Sequence, residues 1–286
     1  MKYAITAATG KFGQTAVNQL LQLVGPDDEV IAIVRDRDRA SQKLPKSVTL
    51  REGTYDDETS MERALSDVDR VLFISSQPGG ELPRSEQHQN MVTALSKADV
   101  KFVAYTSFPH AQASTDPLAS DHKLTEDLIQ ASGVAHAFLR NNWYLENEMD
   151  FLQKGAHGQT ATYWANPSNS AGWALEREYA EAAAKVLTMT DPQTIYEFGG
   201  PKKTYSDLGE ALKQATQKNF EVGQVSRTTF YNELIATGMD EFIANMVTLV
   251  QQPIDDGALS EETVDLPDVL GHNLVSLPEA IQEILK

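Results

Sequence analysis

The first 140 residues alternate six nearly continuous apolar runs with segments of helical period, and no other feature constrains the fold as tightly. The runs are KYAIT (2–6), EVIAIV (29–34), SVTLRE (47–52), RVLFIS (70–75), KFVAYTS (101–107) and AHAFLR (135–140). Each has the length and the Val, Ile, Phe and Tyr content of a buried strand. Between them, apolar residues recur at helical spacing, as in Phe12, Val17, Leu20, Leu21 and Val24. Strands apolar on both faces need helices on both faces, which is the signature of a parallel sheet. Right-handed crossovers then predict an α/β, Rossmann-like, doubly wound fold.

The rhythm changes after residue 140. A helix is expected through NWYLENEMDFLQKG, then a Gly/Asn/Pro/Ser-rich stretch to Gly172, then the strongly amphipathic EREYAEAAAKVLT (176–188). Thr204 is placed to cap a helix over TYSDLGEALKQATQ, and LPEAIQEILK reads as a closing helix. The expected division is a nucleotide-binding core, 1–140, with 176–200 packing back on it. The segments 141–175 and 201–286 then form a smaller α/β lobe on the substrate side.

Composition narrows the chemistry. The chain has no cysteine, which excludes disulfides, thiolate catalysis and cysteine-ligated metals. No pair of its six histidines has convincing ligand spacing with carboxylates, so no metal is expected. No apolar run approaches the ~20 residues of a membrane span, and the start MKYAIT has no signal-peptide layout. The expectation is a soluble cytoplasmic protein, with a homodimer left open. A formal net charge of −17 argues against nucleic acid as a partner. Yet six of the 24 basic residues fall between Arg35 and Arg51, and that cluster needs a reason.

The segment TAATGKFG, between the first strand and the first helix, supplies one. Such a junction presents backbone N–H groups and the positive helix end to a pyrophosphate. Gly10 permits close phosphate approach and Gly13 close helix–strand packing, while Lys11 and Phe12 add N–H groups at the junction. Ala7 replaces the first glycine of the usual pattern. Its methyl is harmless at negative φ and costs about 1–2 kcal/mol in a left-handed conformation. Without a ligand the segment is only a tight turn. The second strand ends in Arg35, where an acidic residue would read a ribose 2′-hydroxyl, and arginine suits a 2′-phosphate. Arg37 and Arg39 reinforce the charge, so NADP is favoured over NAD. Asp36 would reverse that preference if the register slipped by one.

With TAATGKFGQTAVNQLL, AIVRD, YDDETSMERAL, VLFISSQ, KFVAYTS, HKLTEDLIQASGV and FLRNNWYLEN in view, the chain resembles the NmrA-like atypical short-chain dehydrogenases. Within them it is most similar to the bacterial NAD(P)H:quinone oxidoreductases of type 2. The resemblance implies that Thr6, Thr9, Gly10, Lys11, Phe12 and Gly13 form the cofactor loop, with Arg35 on the 2′-phosphate. It places Ser75, Ser76 and Gln77 beside the cofactor ribose. His122 and Glu126 occupy the family's Lys-x-x-x-Glu helix positions, and Arg140 and Asn141 its Arg-Asn pair near nicotinamide and substrate. Thr54 departs from the family's acidic residue before the tyrosine.

Ser107 is counted with the cofactor-binding residues and fits the serine of ordinary short-chain dehydrogenases, but their tyrosine is missing. Leu118 and Ala119 stand where it would be, and no tyrosine occurs between Tyr105 and Tyr144. Alcohol chemistry is therefore disfavoured. Quinone reduction asks for less, because the hydroquinone anion is a phenolate of pKa roughly 10 that water or a weak acid protonates. Asn141 is the expected hydrogen-bond donor to the developing oxyanion, and His122 a donor to ribose or substrate. Blander roles stand beside these: a helix cap for Asn141, and a surface i,i+4 pair for His122 and Glu126. Trp143, Tyr144, Phe151 and Trp173 offer a flat-substrate pocket or merely lobe packing. The expected activity is NADPH-dependent hydride transfer to a quinone or similar flat electrophile without flavin. The alternative is an NADP(H)-sensing regulator without turnover, and a third option is another acceptor such as an imine, enone or dye.

Overall fold

A computed structural model describes residues 1–77, 80–116 and 118–286. The strands are β1 (Lys2–Ile5), β2 (Glu29–Val34), β3 (Thr49–Glu52), β4 (Arg70–Phe73), β5 (Phe102–Ser107), β6 (Ala135–Asn141), β7 (Ala161–Tyr163), β8 (Ile195–Phe198) and β9 (Val222–Gln224). The helices up to residue 188 are α1 (Lys11–Leu23), α2 (Arg37–Ser41), α3 (Glu58–Ala64), α4 (Arg84–Lys97), α5 (Ala119–Ser132), α6 (Met149–Ala156) and α7 (Glu176–Thr188). Beyond it lie α8 (Tyr205–Thr216), α9 (Arg227–Ala236), α10 (Glu241–Leu249), α11 (Gln252–Asp255), α12 (Asp265–Leu270) and α13 (Leu277–Ile284). No helix among the described residues is long and apolar enough to cross a membrane.

The chain divides into two compact units. The first comprises Met1–Asn141, Arg177–Phe198 and Asp265–Gly271. Its seven strands run parallel in the order β3-β2-β1-β4-β5-β6-β8. Strands β4 and β5 are buried along their whole length, as their unbroken apolar runs require. Helix α1 buries Phe12, Ala16, Val17 and Leu20, the stripe its period prescribes. One core is built on Ile31, Met61, Val71, Phe73, Met91, Leu95, Val103, Tyr105 and Phe138. Each such side chain contributes about 1.5–3 kcal/mol through burial. The strand order reverses between β1 and β4, and ligands of doubly wound sheets bind at the carboxyl edge beside that reversal.

Helix α12 belongs to this unit, although the sequence pattern assigned it to the lobe. Asp265 Oδ2 accepts the backbone N–H of Glu197 on β8 at 2.9 Å, and the Leu270 carbonyl accepts Lys185 Nζ from α7. The pairing of Asp265 with an edge strand is long-range, so no local pattern announces it.

The second unit comprises Asn142–Glu176, Gly199–Val264 and His272–Lys286. Strands β7 and β9 pair in parallel, and Thr204 caps α8 through a reciprocal box with Asp207. Its centre is aromatic. Tyr163 stacks on Tyr205 at 4.3 Å, and Phe151 and Trp173 pack against the same Tyr205 ring. Phe151 and Trp173 are thus packing residues, 1% and 4% exposed, which corrects their reading as part of a flat-substrate pocket.

Within this aromatic core lies the carboxyl group of Glu148, which accepts Trp173 Nε1–H at 3.2 Å and Tyr205 Oη–H at 2.9 Å. Burial raises its pKa from 4.5 to about 7, against the lowering effect of those two donors. A folded pKa above the unfolded one means the native state holds the proton more tightly. The associated stability is complete below pH about 4.5 and is lost as pH rises to about 7, some ~3 kcal/mol in all. Urea melts of wild type between pH 5 and pH 8 should show this decline, and Glu148→Gln should flatten it. A variant whose stability falls as steeply with pH as wild type would assign the dependence elsewhere.

Candidate active site

The carboxyl ends of β1, β4, β5 and β6 bring together the loop 6–10, the loop 75–77, Ser107 and Asn141. In the first loop Ala7 has φ +48°, in the left-handed region. The sequence left this sign open, and the structure decides it: the missing glycine is replaced at a cost of about 1–2 kcal/mol. Gly13 is a steric necessity, since a Cβ there would lie 2.5 Å from the Ala7 carbonyl oxygen and 2.7 Å from Ala8 Cα. Gly10, by contrast, opens onto space, its nearest prospective contact being the Ala7 oxygen at 3.5 Å. It is also the N-cap of α1 and provides no side-chain cap, and the first turn carries no acidic residue. An uncapped helix N-terminus behind an open glycine fits a pyrophosphate.

Ala7→Gly should relieve the strain, partly offset by the greater freedom of glycine in the unfolded chain. The expected net gain is about 0.5–1 kcal/mol, visible as a rise in Tm of roughly 1–3 °C by calorimetry. A fall in Tm would show that the alanine is at ease there.

Other residues assigned to the loop have more structural roles. Thr6 is buried; its hydroxyl donates to the Leu72 carbonyl at 3.2 Å, accepts the Ile74 N–H at 3.0 Å and also meets Tyr55 Oη. It ties β1 to β4 beneath the loop. Phe12 is buried against the core, Lys11 is exposed, and the Thr9 carbonyl accepts Gln14 Nε2 at 2.9 Å.

The second loop is held from below. Ser75 N–H donates to Thr106 Oγ1 at 2.9 Å, and Ser76 N–H donates to His88 Nε2 at 3.1 Å. His88 Nδ1 lies 2.7 Å from Thr125 Oγ1, whose own proton goes to the Asp121 carbonyl at 2.6 Å. Nδ1 must therefore carry a hydrogen and Nε2 a lone pair, so His88 is neutral. Burial agrees, depressing its pKa to about 3. The sequence reading missed His88; its only signal is a histidine on the buried face of α4. Gln77 is exposed at the end of this loop.

His122 and Glu126 are both buried, which overturns the surface-pair alternative, and they serve different partners. His122 Nε2 lies 3.0 Å from Arg84 Nη2 and Nδ1 lies 2.9 Å from Tyr105 Oη. A guanidinium only donates, so Nε2 accepts and Nδ1–H points to Tyr105. Burial, then the charge of Arg84, holds the pKa well below 6.5. His122 is neutral at pH 7, with both nitrogens engaged in the protein.

Glu126 is fully buried in a bidentate pair with Arg140, Nε–Oε1 2.9 Å and Nη2–Oε2 2.7 Å. Arg140 Nη1 continues to Glu197 Oε1 at 2.8 Å. The Ser107 hydroxyl donates to Glu126 Oε1 at 2.6 Å, so its proton is committed within the sheet edge. Beside this clamp, Asn141 ends β6, buried, with Phe198 as its register partner on β8.

At the other end of the edge, Val34 closes β2 and Arg35 follows, exposed. Asp36 Oδ1 caps α2 by accepting the Arg39 N–H at 3.0 Å. The carboxylate that could have read a 2′-hydroxyl is thus occupied by its own helix, leaving Arg35.

A family described as NAD(P)H-binding matches residues 7–166. Quinone oxidoreductase 2 of Escherichia coli is 31% identical over 283 residues, 98% of each chain. The chain belongs to the NmrA-like NAD(P)H-binding family. Its sheet order and helix placement match two solved reductases over nearly all of their length. The E. coli NADPH-dependent quinone oxidoreductase, solved with NADPH, superposes with a TM-score of 0.89 at 30% identity, covering 99% of this chain and 100% of that one. The triphenylmethane reductase of Citrobacter sp. gives a TM-score of 0.91 at 29% identity, covering 100% and 99%. An NmrA-like family domain-containing oxidoreductase of Aspergillus flavus is 26% identical over 80% of this chain and 76% of its own.

Proposed function

We propose that the chain is an NADPH-dependent reductase of quinones or similar flat, electron-poor acceptors. The near full-length similarity to a quinone oxidoreductase carries this reading. It gains support from the carboxyl edge of the sheet, with the helix α1 lacking a side-chain cap, open Gly10 and exposed Arg35. When bound, NADPH supplies a hydride directly, without flavin. The backbone N–H groups that open α1 from Lys11 onward would hold the pyrophosphate, and Arg35 the 2′-phosphate. The loop Ser75–Gln77, fixed through Thr106 and His88, flanks the ribose. Asn141 orients the acceptor and donates to its developing oxyanion, a role an uncharged amide performs without itself giving up a proton. The neutral, doubly engaged His122 positions Tyr105 and Arg84. The final protonation falls to water, since a phenolate whose conjugate acid has a pKa of roughly 10 takes up a proton from solvent at neutral pH.

The test is loss of absorbance at 340 nm with NADPH and a panel of soluble quinones and triarylmethane dyes, repeated with NADH. Protein-dependent oxidation that requires the acceptor and prefers NADPH supports the reductase. Tight NADPH binding by fluorescence with no turnover on any acceptor would instead identify a cofactor-sensing protein.

A further inference from the structure

In a chain of net charge −17, the arginines that follow β2 and end α3 stand apart. Arg35, Arg37 and Arg63 are all exposed and line one cleft of about 560 Å³ along the open edge strand β3. Among the described residues none of the three has a carboxylate ion-pair partner, whereas Lys2, Arg51, Arg84, Lys97, Lys101 and Arg140 of the same unit do. Arg51, the fourth arginine in the cleft, is already consumed. Its Nη1 donates to the carbonyls of Ala64 and Ser66, and its Nη2 to Asp67. The acids of the cleft do not neutralise it: Glu52 and Asp57, the latter also accepting the Thr59 N–H at 3.0 Å as the cap of α3, face three guanidiniums.

Register explains the convergence. The Gly53 N–H donates to the Val34 carbonyl at 3.0 Å, so the chain leaves β2 and β3 side by side. Arg35 and Arg37 follow from one strand, and α3, bearing Arg63, follows from the other. Three planar cations with no carboxylate ion pair among the described residues, gathered at the place where β2 ends, form a receptor for a dianionic phosphate group.

We propose that Arg37 and Arg63 join Arg35 in reading the cofactor's 2′-phosphate, so that preference for NADPH over NADH rests on a three-arginine clamp that spans two crossover connections. This rests on the cofactor reading above; it adds Arg63 to it and gives Arg37, whose charge already favoured NADP, a direct contact. A ribose 2′-hydroxyl carries no charge to engage the added cations, so they act on NADPH alone.

The experiment measures Kd for NADPH and for NADH by nicotinamide fluorescence, in wild type and in the double variant Arg37→Ser/Arg63→Ser. All substituted side chains are exposed, and a thermal melt checks that the fold is intact. Loss of two charge-assisted contacts should weaken NADPH about tenfold or more while NADH changes by less than about twofold. Equal weakening of both cofactors, or an unchanged NADPH affinity, overturns the clamp. If wild type itself binds NADH as tightly as NADPH, the 2′-phosphate reading fails together with it. A wild type that discriminates and a double variant that discriminates equally well leave that reading standing on Arg35 and defeat only this one.

Discussion

Asn141→Ala is expected to lower quinone turnover about 100-fold while leaving NADPH affinity within about twofold, because one preorganised donor to a developing oxyanion is worth two to three orders of magnitude. Asn141 is the last residue of β6, on the same carboxyl edge as Ser107 and one residue beyond the Arg140 clamp. Its backbone is set by pairing with Phe198 and its side chain is buried, so in the proposed role its amide would be positioned before the acceptor binds. The loss should fall on kcat, with the NADPH dissociation constant measured separately by fluorescence. Asn141→Asp sharpens the test: a carboxylate there repels the developing anion and should be no better than alanine. Full activity in either variant would remove Asn141 from the chemistry and leave it a structural residue of the strand end.

The second large effect concerns stability. Arg140→Met should destabilise the protein by about 3–5 kcal/mol, since it leaves a buried carboxylate without its cation. Glu126 is 0% exposed, and after the substitution only Ser107 and Gln112 would still donate to it. Glu197 would lose its arginine as well, keeping the His110 N–H that donates to Oε2 at 3.3 Å. The double variant Arg140→Met/Glu126→Gln should recover part of the loss, because the orphaned charge is gone. Urea unfolding of the two single variants and the double variant yields the coupling energy directly. Additive losses would show that the two groups act independently, contrary to the 2.7 Å and 2.9 Å bidentate geometry.

The alternating first half of the chain was legible because β2, β4 and β5 are buried on both faces and write their positions as unbroken apolar runs, which the edge strand β3, exposed at Thr49 and Glu52, does not. EVIAIV and EREYAEAAAKVLT even match β2 and α7 residue for residue. The loop residues Gly10 and Gly13 could be read because glycine has few other reasons to stand there. Polar side chains with long-range partners could not. Nothing local in Ser107 reveals that its proton belongs to Glu126, nineteen positions away, nor does the sequence distinguish a catalytic His122 from one locked between Tyr105 and Arg84. The segment 227–255 read only as mixed α/β material, yet it folds into three helices. Exposed apolar residues such as Phe242 and Ile243 blur the periodicity of α10. Ala7 was ambiguous for a simpler reason: a residue's identity does not give the sign of its φ.

Helix α12 bears on how the protein is made. The seven-stranded sheet has all its strands once residue 198 has been synthesised, but the carboxylate that satisfies the Glu197 amide arrives only with Asp265. The emerging chain therefore holds an unfinished sheet edge at β8 through the synthesis of more than sixty further residues, at a translation rate of roughly 5–20 residues per second. For those seconds the exposed strand is a template for unwanted pairing. A chain that stops short of Asp265 would keep that edge open permanently.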